Sequence, residues 1–251
     1  KEPTLEATKD LMSHRDTKLI LATGGGGMVR AAYSSGTPAI GVGAGNGPAY
    51  FHGSCDLERS VKQVLDSKTF DNGTICASEQ SVVVTADFAP KVRAEFERQG
   101  GYFLSKDQRD ALAGFVLRGN GTMNPAIVGK SVAELCRLSG LKGVPEGTRV
   151  LLVPEEGVGK GYPFSNEKLG LMLAYYVEQD EQKALERCVE ILRHEGAGHT
   201  FAIHAKDDRV VERFARAVPA SRVLVNTPAA LGGIGATTNL FPALTLGCGA
   251  V

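Results

Sequence analysis

Cys76 is the residue best suited to nucleophilic chemistry. It lies in the segment of residues 68–80, between a stretch with helical periodicity and the β-branched run of residues 81–85. At such a junction of an α/β protein, exposed backbone N–H groups can stabilise a thiolate and, after attack on a carbonyl, an oxyanion. The alternative role for a cysteine is that of a small buried apolar side chain. We keep that interpretation for the other four cysteines: Cys55, Cys136, Cys188 and Cys248.

His199 is the histidine best placed for acid–base work. It follows the small residues 196–198 and opens an apolar run, so we expect its imidazole at the edge between a loop and a strand. An imidazole titrates near neutral pH and can serve there as a general base. The other histidines lack a comparable setting and are interpreted as solvent-facing or structural: His14, His52, His194 and His204.

Two further features could hold a ligand. Thr23 and the glycines after it lie between a predicted strand and a predicted helix, and offer bare backbone that suits a phosphate or a nicotinamide amide. The pattern is not the dinucleotide fingerprint G-x-G-x-x-G, because residue 29 is valine, and a tight turn is the alternative. Glu167 follows a glycine-rich loop and could bind ribose hydroxyls; a solvated surface charge is its alternative.

The composition excludes several classes of protein. The chain has 251 residues, 43% hydrophobic and 22% charged, as is typical of a globular protein with a substantial core. Lys+Arg 28 and Asp+Glu 28 balance to +0, so we expect neither nucleic acid nor an anionic membrane surface as a partner. No apolar run approaches the ~18 residues of a membrane span. The five cysteines are scattered without a CxxC pair, which argues against a disulfide framework and a metal site.

Strands and helices alternate along most of the chain. This alternation predicts an α/β fold with a parallel sheet and helices on both of its faces. The predicted strands cover residues 19–22, 38–42, 81–85, 125–128, 149–153, 171–177, 199–204 and 222–225, and the main predicted helices cover 28–34, 56–68, 132–138, 180–193 and 208–218.

Six segments, in this order, resemble the CoA-acylating aldehyde dehydrogenases: residues 22–25, 41–46, 68–81, 164–169, 196–200 and 226–229. That family includes the aldehyde half of bifunctional aldehyde/alcohol dehydrogenases and the stand-alone enzymes of bacterial microcompartments. The resemblance covers essentially the whole chain, and the cysteine segment is highly specific. The ending, residues 244–251, looks closest to the microcompartment branch. The chain resembles the C-terminal part of such an enzyme, with an aldehyde-dehydrogenase-like fold.

The resemblance implies a chemical role for each candidate residue. Cys76 would attack a short aldehyde to give a thiohemiacetal, whose hydride passes to NAD, and the thiol of coenzyme A would take the resulting acyl group. His199 matches the family histidine that assists thiol or proton transfer, and Glu167 matches the glutamate that holds the nicotinamide ribose. The residues expected to bind the cofactor are Thr23, Gly24, Gly25, Gly43 and Glu167.

The resemblance also implies an organisation and partners. Residues 1–50 would finish the cofactor-binding domain, 51–226 would form the catalytic domain, and 227–251 would form a return or oligomerisation segment. Family members are roughly twice as long, so the expected partners are a missing N-terminal half and further copies in a homo-oligomer. The expected location is the cytoplasm, with the inside of a bacterial microcompartment as an option.

Two rival functions stay open at this point. The first is a hydrolytic aldehyde dehydrogenase, in which a glutamate of the corresponding glycine-rich segment activates water; residues 42–46 contain no carboxylate, which favours transfer to CoA. The second is a catalytically silent scaffold or assembly subunit. CoA dependence separates the first rival from the acylating enzyme, and alkylation of Cys76 with protection by NAD or acyl-CoA separates the second.

Overall fold

The computed structural model describes residues 3–118, 123–243 and 245–246. Nine strands run through them: β1 (Ile20–Thr23), β2 (Ala39–Val42), β3 (Pro48–Phe51), β4 (Ser81–Thr85), β5 (Gly101–Phe103), β6 (Val150–Pro154), β7 (Met172–Glu178), β8 (Thr200–His204) and β9 (Arg222–Val225). The helices of these residues are α1 (Leu5–Ser13), α2 (Gly26–Tyr33), α3 (Leu57–Thr69), α4 (Ala89–Arg98), α5 (Lys106–Val116), α6 (Val132–Ser139), α7 (Glu181–His194), α8 (Asp208–Ala217) and α9 (Ala229–Gly233).

The main sheet has seven strands in the order β5-β6-β7-β4-β3-β8-β9, and each pair of neighbours is parallel. β1 and β2 form a separate parallel pair. The predicted α/β class with a parallel sheet is therefore confirmed. No helix of the described residues has the length and apolar character that a membrane crossing requires.

Two hydrophobic clusters cover the two faces of the main sheet. Along β4, Val83 belongs to one cluster whereas Val82 and Val84 belong to the other, as the two-residue period of a strand requires. Phe214 of α8 packs in the first cluster and Phe96 of α4 in the second. Helices therefore lie on both faces, and the strands between them are mostly apolar.

One predicted strand is wrong, and two strands were missed. Residues 125–128 contain a short 3-10 helix, Pro125–Ile127, because Pro125 has no N–H for a strand ladder and Asn124 caps the turn by accepting from the Ala126 N–H. β3 and β5 escaped prediction because they have four and three residues and adjoin glycines.

The predicted domain boundary at residue 50 lies close to the change from the small sheet to the main sheet. The chain passes from the small sheet to the main sheet between residues 42 and 48, so a boundary at residue 50 falls inside β3. The division into domains itself stays a prediction. Cys248 and residues 247–251 of the predicted return segment lie outside the described residues.

Four loops meet at the amino ends of adjacent strands. The loop of residues 43–47 leads into β3, and the cysteine segment leads into β4. Glu167 precedes β7 by five residues, and His199 precedes β8 by one. Because β7, β4, β3 and β8 are neighbours in the parallel sheet, these four loops lie along one edge.

A buried pair of stacked aromatic rings stabilises the main sheet against helix α8. The rings of Tyr50 and Phe214 stack with centroids 4.2 Å apart, and Phe214 is fully buried. We expect Phe214→Ala to lower the free energy of unfolding by about 3–5 kcal/mol, because it removes apolar contacts and leaves a cavity. Urea denaturation measures the change. Arg216→Ala, at an exposed site of the same helix, is the control and should stay within about 0.5 kcal/mol; equal effects of the two variants would contradict this account.

Candidate active site

A cavity of about 280 Å³ opens at the meeting point of the glycine loops and the cysteine segment. Six of the seven predicted site residues line it: Thr23, Gly24, Gly25, Gly43, Cys76 and Glu167. The rest of the lining is mostly apolar and consists of Ala44, Thr74, Ile75, Leu169, Ile234 and Leu246. The structure therefore brings together predicted site residues as far apart in the chain as Thr23 and Glu167.

A tight turn with left-handed backbone conformation precedes Cys76 and places it in the cavity wall. After α3 ends, Asp71, Asn72 and Gly73 all have positive φ, at 49°, 49° and 76°. The Asn72 side chain donates to the Gly129 carbonyl at 3.1 Å, which holds this turn. A Cβ atom on Gly73 would lie 2.8 Å from the Gly170 oxygen, so both its backbone conformation and its surroundings require glycine.

Gly45 joins the two polar groups of the cavity. A Cβ atom at this position would lie 1.9 Å from the Cys76 carbonyl oxygen, so only glycine lets the two backbones approach this closely. The Gly45 N–H donates to Oε1 of Glu167 at 2.8 Å. One loop backbone therefore contacts the cysteine segment and fixes the carboxyl group.

The Cys76 thiol is held in its protonated form. Burial raises the pKa of Cys76, and the nearby Glu167 carboxylate raises this pKa further, while the backbone N–H groups of Cys76 and Ala77 act in the opposite direction. The N–H groups expected to favour a thiolate are therefore present but outweighed. At neutral pH the thiol needs a proton acceptor before it can attack.

Glu167 lies in the cavity wall and is half-buried, which excludes the alternative of a solvated surface charge. Burial raises the pKa of Glu167 to about 7, against the hydrogen bond from Gly45. The Glu195 carboxylate raises this pKa, and the ammonium groups of Lys68 and Lys168 lower it. The carboxyl group can therefore change its charge near neutral pH.

His199 lies apart from the cavity lining. It is 2% exposed, its Nδ1 shares a hydrogen bond of 2.8 Å with the Thr200 hydroxyl, and its Nε2 has no partner within the described residues. Burial, with a smaller contribution from Arg222, lowers the pKa of His199 to about 4, so the expected titration near neutral pH is wrong. Its loop still contacts the glycine loop: a Cβ on Gly196 would lie 2.8 Å from the Asn46 nitrogen.

A buried polar network behind the cavity was missed in the sequence. Lys68, Gln80 and Lys168 are fully buried, and Glu79 is 1% exposed. Oε1 of Gln80 accepts from the Lys68 ammonium at 3.2 Å and from the Lys168 N–H at 3.1 Å. Lys68, Glu79 and Gln80 belong to segment 68–81. Charged or polar side chains so close to Cys76 in the sequence were a signal for this network, which helical periodicity does not reveal.

The described residues contain no group of His, Cys, Asp and Glu suited to a metal ion.

The other histidines and cysteines take structural or surface positions. His204 is fully buried in β8, and Cys188 is fully buried in α7, as a structural role predicts. His14 is exposed, and the partly exposed Cys55 and Cys136 pack against the core clusters. These residues leave Cys76 as the one cysteine of the described chain that lines the cavity.

Comparisons with known proteins agree with this fold. No family model matches the chain. The bifunctional aldehyde-alcohol dehydrogenase of Escherichia coli (strain K12) is 46% identical over 253 residues, which cover 99% of this chain and 28% of that protein. A solved probable aldehyde dehydrogenase from Listeria monocytogenes is 59% identical with a TM-score of 0.96, and covers 99% of this chain and 55% of its own.

Further solved structures carry more specific names. An acetylating aldehyde dehydrogenase from Geobacillus thermoglucosidasius is 46% identical, with a TM-score of 0.95 over 99% of this chain and 55% of its own. A propionaldehyde dehydrogenase from the fucose utilisation microcompartment of Clostridium phytofermentans is 29% identical, with a TM-score of 0.91 over 100% and 56% of the two chains. One from Rhodopseudomonas palustris, with bound propionyl-CoA, is 25% identical, with a TM-score of 0.89 over 99% and 54%.

These similarities define the class of the protein. The chain has the fold of an aldehyde dehydrogenase, and a cysteine lies in the wall of its cavity. It belongs to the acylating aldehyde dehydrogenases and spans about half the length of the solved relatives that it matches.

The electrostatics of the cavity predict how Cys76 responds to a change at Glu167. We expect Glu167→Gln to lower the pKa of Cys76, because the substitution removes a negative charge and retains an acceptor for Gly45. Alkylation of Cys76 by iodoacetamide at pH 8 should become roughly threefold to tenfold faster. Peptide mass spectrometry measures the rate. Glu97→Gln, on the exposed face of α4, should leave it unchanged; no acceleration in Glu167→Gln would contradict the electrostatic account.

Proposed function

We propose that the protein that contains this chain oxidises a short aldehyde with NAD and coenzyme A to an acyl-CoA, and that Cys76 carries the acyl group. The observation that supports this most directly is the shared cavity: the Cys76 thiol, the Glu167 carboxyl group and the bare backbone of residues 23–25 line the same space. Nucleophile, ribose ligand and nicotinamide loop are the roles that these groups would take.

Cys76 would act in three steps. Its sulfur forms a bond to the aldehyde carbon as the C=O π bond breaks, and the proton lost by the thiol is replaced by one taken up on the former carbonyl oxygen, which gives a thiohemiacetal. Loss of a hydride and of the hydroxyl proton converts this adduct to a thioester on Cys76. The thiol of coenzyme A then attacks the acyl carbon, the bond to the Cys76 sulfur breaks, and the sulfur takes up a proton again. Two N–H groups, of Cys76 and Ala77, favour the thiolate as leaving group.

His199 would supply the proton acceptor of this cycle. Its imidazole is neutral at pH 7 because burial depresses its pKa, and its Nε2 has no partner within the described residues. A neutral imidazole can accept a proton, although a pKa of about 4 makes it a weaker base than a free histidine. Its burial at 2% exposure requires a local rearrangement or a relay before it reaches the thiol.

The residues around the cavity fit a nicotinamide cofactor. Gly25 is the N-cap of α2 without a side-chain bond, and a Cβ atom there would meet nothing within 4 Å, so open backbone faces the available space. Glu167 lies at the cavity wall, where its carboxylate would accept ribose hydroxyls. NAD, when bound, supplies the hydride acceptor of the reaction. The expected holders are Thr23, Gly24, Gly25, Gly43 and Glu167.

Transfer to coenzyme A is favoured over hydrolysis. Glu167 is the only carboxylate in the lining of the described cavity, and the Gly45 N–H occupies one of its oxygens. Residues 42–46 supply no second carboxylate to activate water. The relative from Rhodopseudomonas palustris was solved with bound propionyl-CoA, which supports a thioester product.

The apolar part of the lining favours short, uncharged aldehydes such as acetaldehyde or propionaldehyde. Ile75, Leu169 and Ile234 contribute apolar surface to the cavity that holds Cys76. No cation lines the described cavity, and the carboxylate of Glu167 would repel an anionic substrate. The Clostridium phytofermentans relative is named for an aldehyde of this size, propionaldehyde, which supports this choice.

The wider setting follows from the family. We propose that residues 1–50 finish a cofactor domain, that 51–226 form the catalytic domain, and that 227–251 return to the sheet and support a homo-oligomer. An N-terminal half completes the cofactor domain, since the relatives are about twice as long as this chain. The proposed location of the protein is the cytoplasm. Because the Clostridium phytofermentans relative comes from a bacterial microcompartment, the inside of such a compartment is the proposed alternative within the cytoplasm.

Substitution of the nucleophile tests the proposal most directly. In the full-length protein, Cys76→Ala should lower acyl-CoA formation by more than about 10³-fold, because no covalent intermediate can form. Cys55→Ala, at a partly exposed cysteine outside the cavity, is the matched control and should retain near-parental turnover. NADH absorbance measures the rate. Turnover of Cys76→Ala near the parental value would show that the sulfur carries no acyl group.

The product without coenzyme A separates the acylating enzyme from the hydrolytic one. With aldehyde and NAD alone, we expect formation of the free acid to be at least about 100-fold slower than formation of acyl-CoA, because no base activates water. Chromatography of the products measures both rates. S-methyl-CoA, which has no free thiol, is the control and should give no acceleration. Equal rates with and without coenzyme A would establish a hydrolytic dehydrogenase.

A further inference from the structure

The charge of Glu167 depends on groups that come from four directions. Lys68 of α3 acts on it electrostatically and is linked to its loop through Gln80, and Glu195, the residue after α7, bonds to its backbone N–H. Lys168 neighbours it in its own loop, and Cys76 faces it across the cavity. Lysine and glutamate therefore act on one carboxyl group with opposite signs.

Lys68 is a fully buried lysine at the end of α3; burial lowers its pKa to about 7, and the carboxyl groups of Glu79 and Glu167 act to raise it. Its ammonium donates to Oε1 of Gln80 at 3.2 Å and interacts with two carboxyl groups, Glu79 and Glu167. The Glu79 carboxyl group is held in place by a hydrogen bond, since its Oε1 accepts from the Ala229 N–H at 2.9 Å. A buried lysine costs free energy unless negative charge compensates it, and here one ammonium serves two carboxyl groups.

Glu195 is partly exposed and contacts the backbone of Glu167. Its Oε2 accepts from the Glu167 backbone N–H at 2.6 Å. A glutamine at position 195 would keep a carbonyl acceptor for this bond and lose the negative charge. The charge of Glu195 can therefore be removed without removing its hydrogen bond.

Lys168 is bound differently from Lys68. Its ammonium donates to the carbonyls of Phe164 and Asn166, both at 2.7 Å, and so closes the loop that carries Glu167. Glu155 faces it as a further charge. The backbone N–H of Lys168 shares Oε1 of Gln80 with the Lys68 ammonium, so Gln80 ties the cysteine segment to the glutamate loop.

We propose that Lys68 and Glu195 are positioning residues that control, with opposite signs, the charge of Glu167 and hence its ability to accept hydrogen bonds from a cofactor. An ionised carboxyl group has only acceptor sites, whereas a protonated one turns one oxygen into a donor and accepts less. Lys68 favours the ionised form and Glu195 the protonated form. The inference rests on the proposed function only where it takes the ligand to be the nicotinamide ribose.

The experiment follows the ionisation of Glu167 in the full-length protein in two ways. The first is a ¹³C-NMR titration of its side-chain carboxyl carbon, assigned by its loss in Glu167→Gln. The second is the dissociation constant of NAD from pH 6 to 9, measured by calorimetry. In the parent protein both should change near pH 7, with tighter binding at higher pH, because the pKa of Glu167 is raised to about 7 and only the ionised form accepts fully.

The variants should shift this transition in opposite directions. We expect Lys68→Met to move it up by about one pH unit or more, because the compensating ammonium is lost, and Glu195→Gln to move it down. Lys62→Met removes an exposed ammonium of the same helix and is the matched control, with no expected shift. A purely structural role for either residue would weaken folding without opposite shifts of one titration.

The outcomes separate the two hypotheses. An unchanged NMR transition in Lys68→Met, or in Glu195→Gln if Lys68→Met does not fold, would overturn the inference and leave the proposed function intact. If the NMR transition shifts as expected in the two variants but the parent protein binds no NAD, the inference is supported and the cofactor assignment is overturned. Shifts in both readouts would support both.

Discussion

The approach of the Gly45 backbone to the Cys76 carbonyl is the contact on which the site depends. Any side chain at position 45 would overlap that carbonyl, and the same residue donates its N–H to Glu167. A single backbone segment therefore sets the separation between the thiol and the carboxyl group. The cavity exists because this loop, the cysteine segment and the glutamate loop all enter neighbouring strands from the same edge of the sheet.

Low polarity around this contact determines the protonation of the groups near it. Burial raises the pKa of Cys76 and Glu167 and lowers that of His199, so each tends toward its neutral form. A neutral thiol and a neutral imidazole do not attract each other as an ion pair would. The thiol therefore needs a proton acceptor before it can attack, and Lys68 acts to lower the pKa of Glu167, the one carboxyl group in the wall of the described cavity.

The site lies at the amino ends of the strands of the main sheet, which is an uncommon place for ligands of parallel sheets. Open α/β folds bind most often beyond the carboxyl ends of their strands, where helix N-termini point. Here the cysteine, glutamate and histidine loops all precede strands, and the cavity receives its helix N-terminus from α2, beside the small two-stranded sheet. The two sheets thus contribute different parts of the cavity wall, with the thiol on one and the bare glycine backbone on the other.

The sequence by itself determined the alternation of strands and helices and the cysteine segment, because periodicity and a specific run of residues are local properties. It also identified Glu167 and Thr23, whose presence in one cavity only the structure could show. The burial of His199 and of Lys68 and the short strand β3 were not predicted from the sequence. Their state depends on which distant segments pack against them, and the solvation and electric field that this packing creates are properties of the tertiary structure alone.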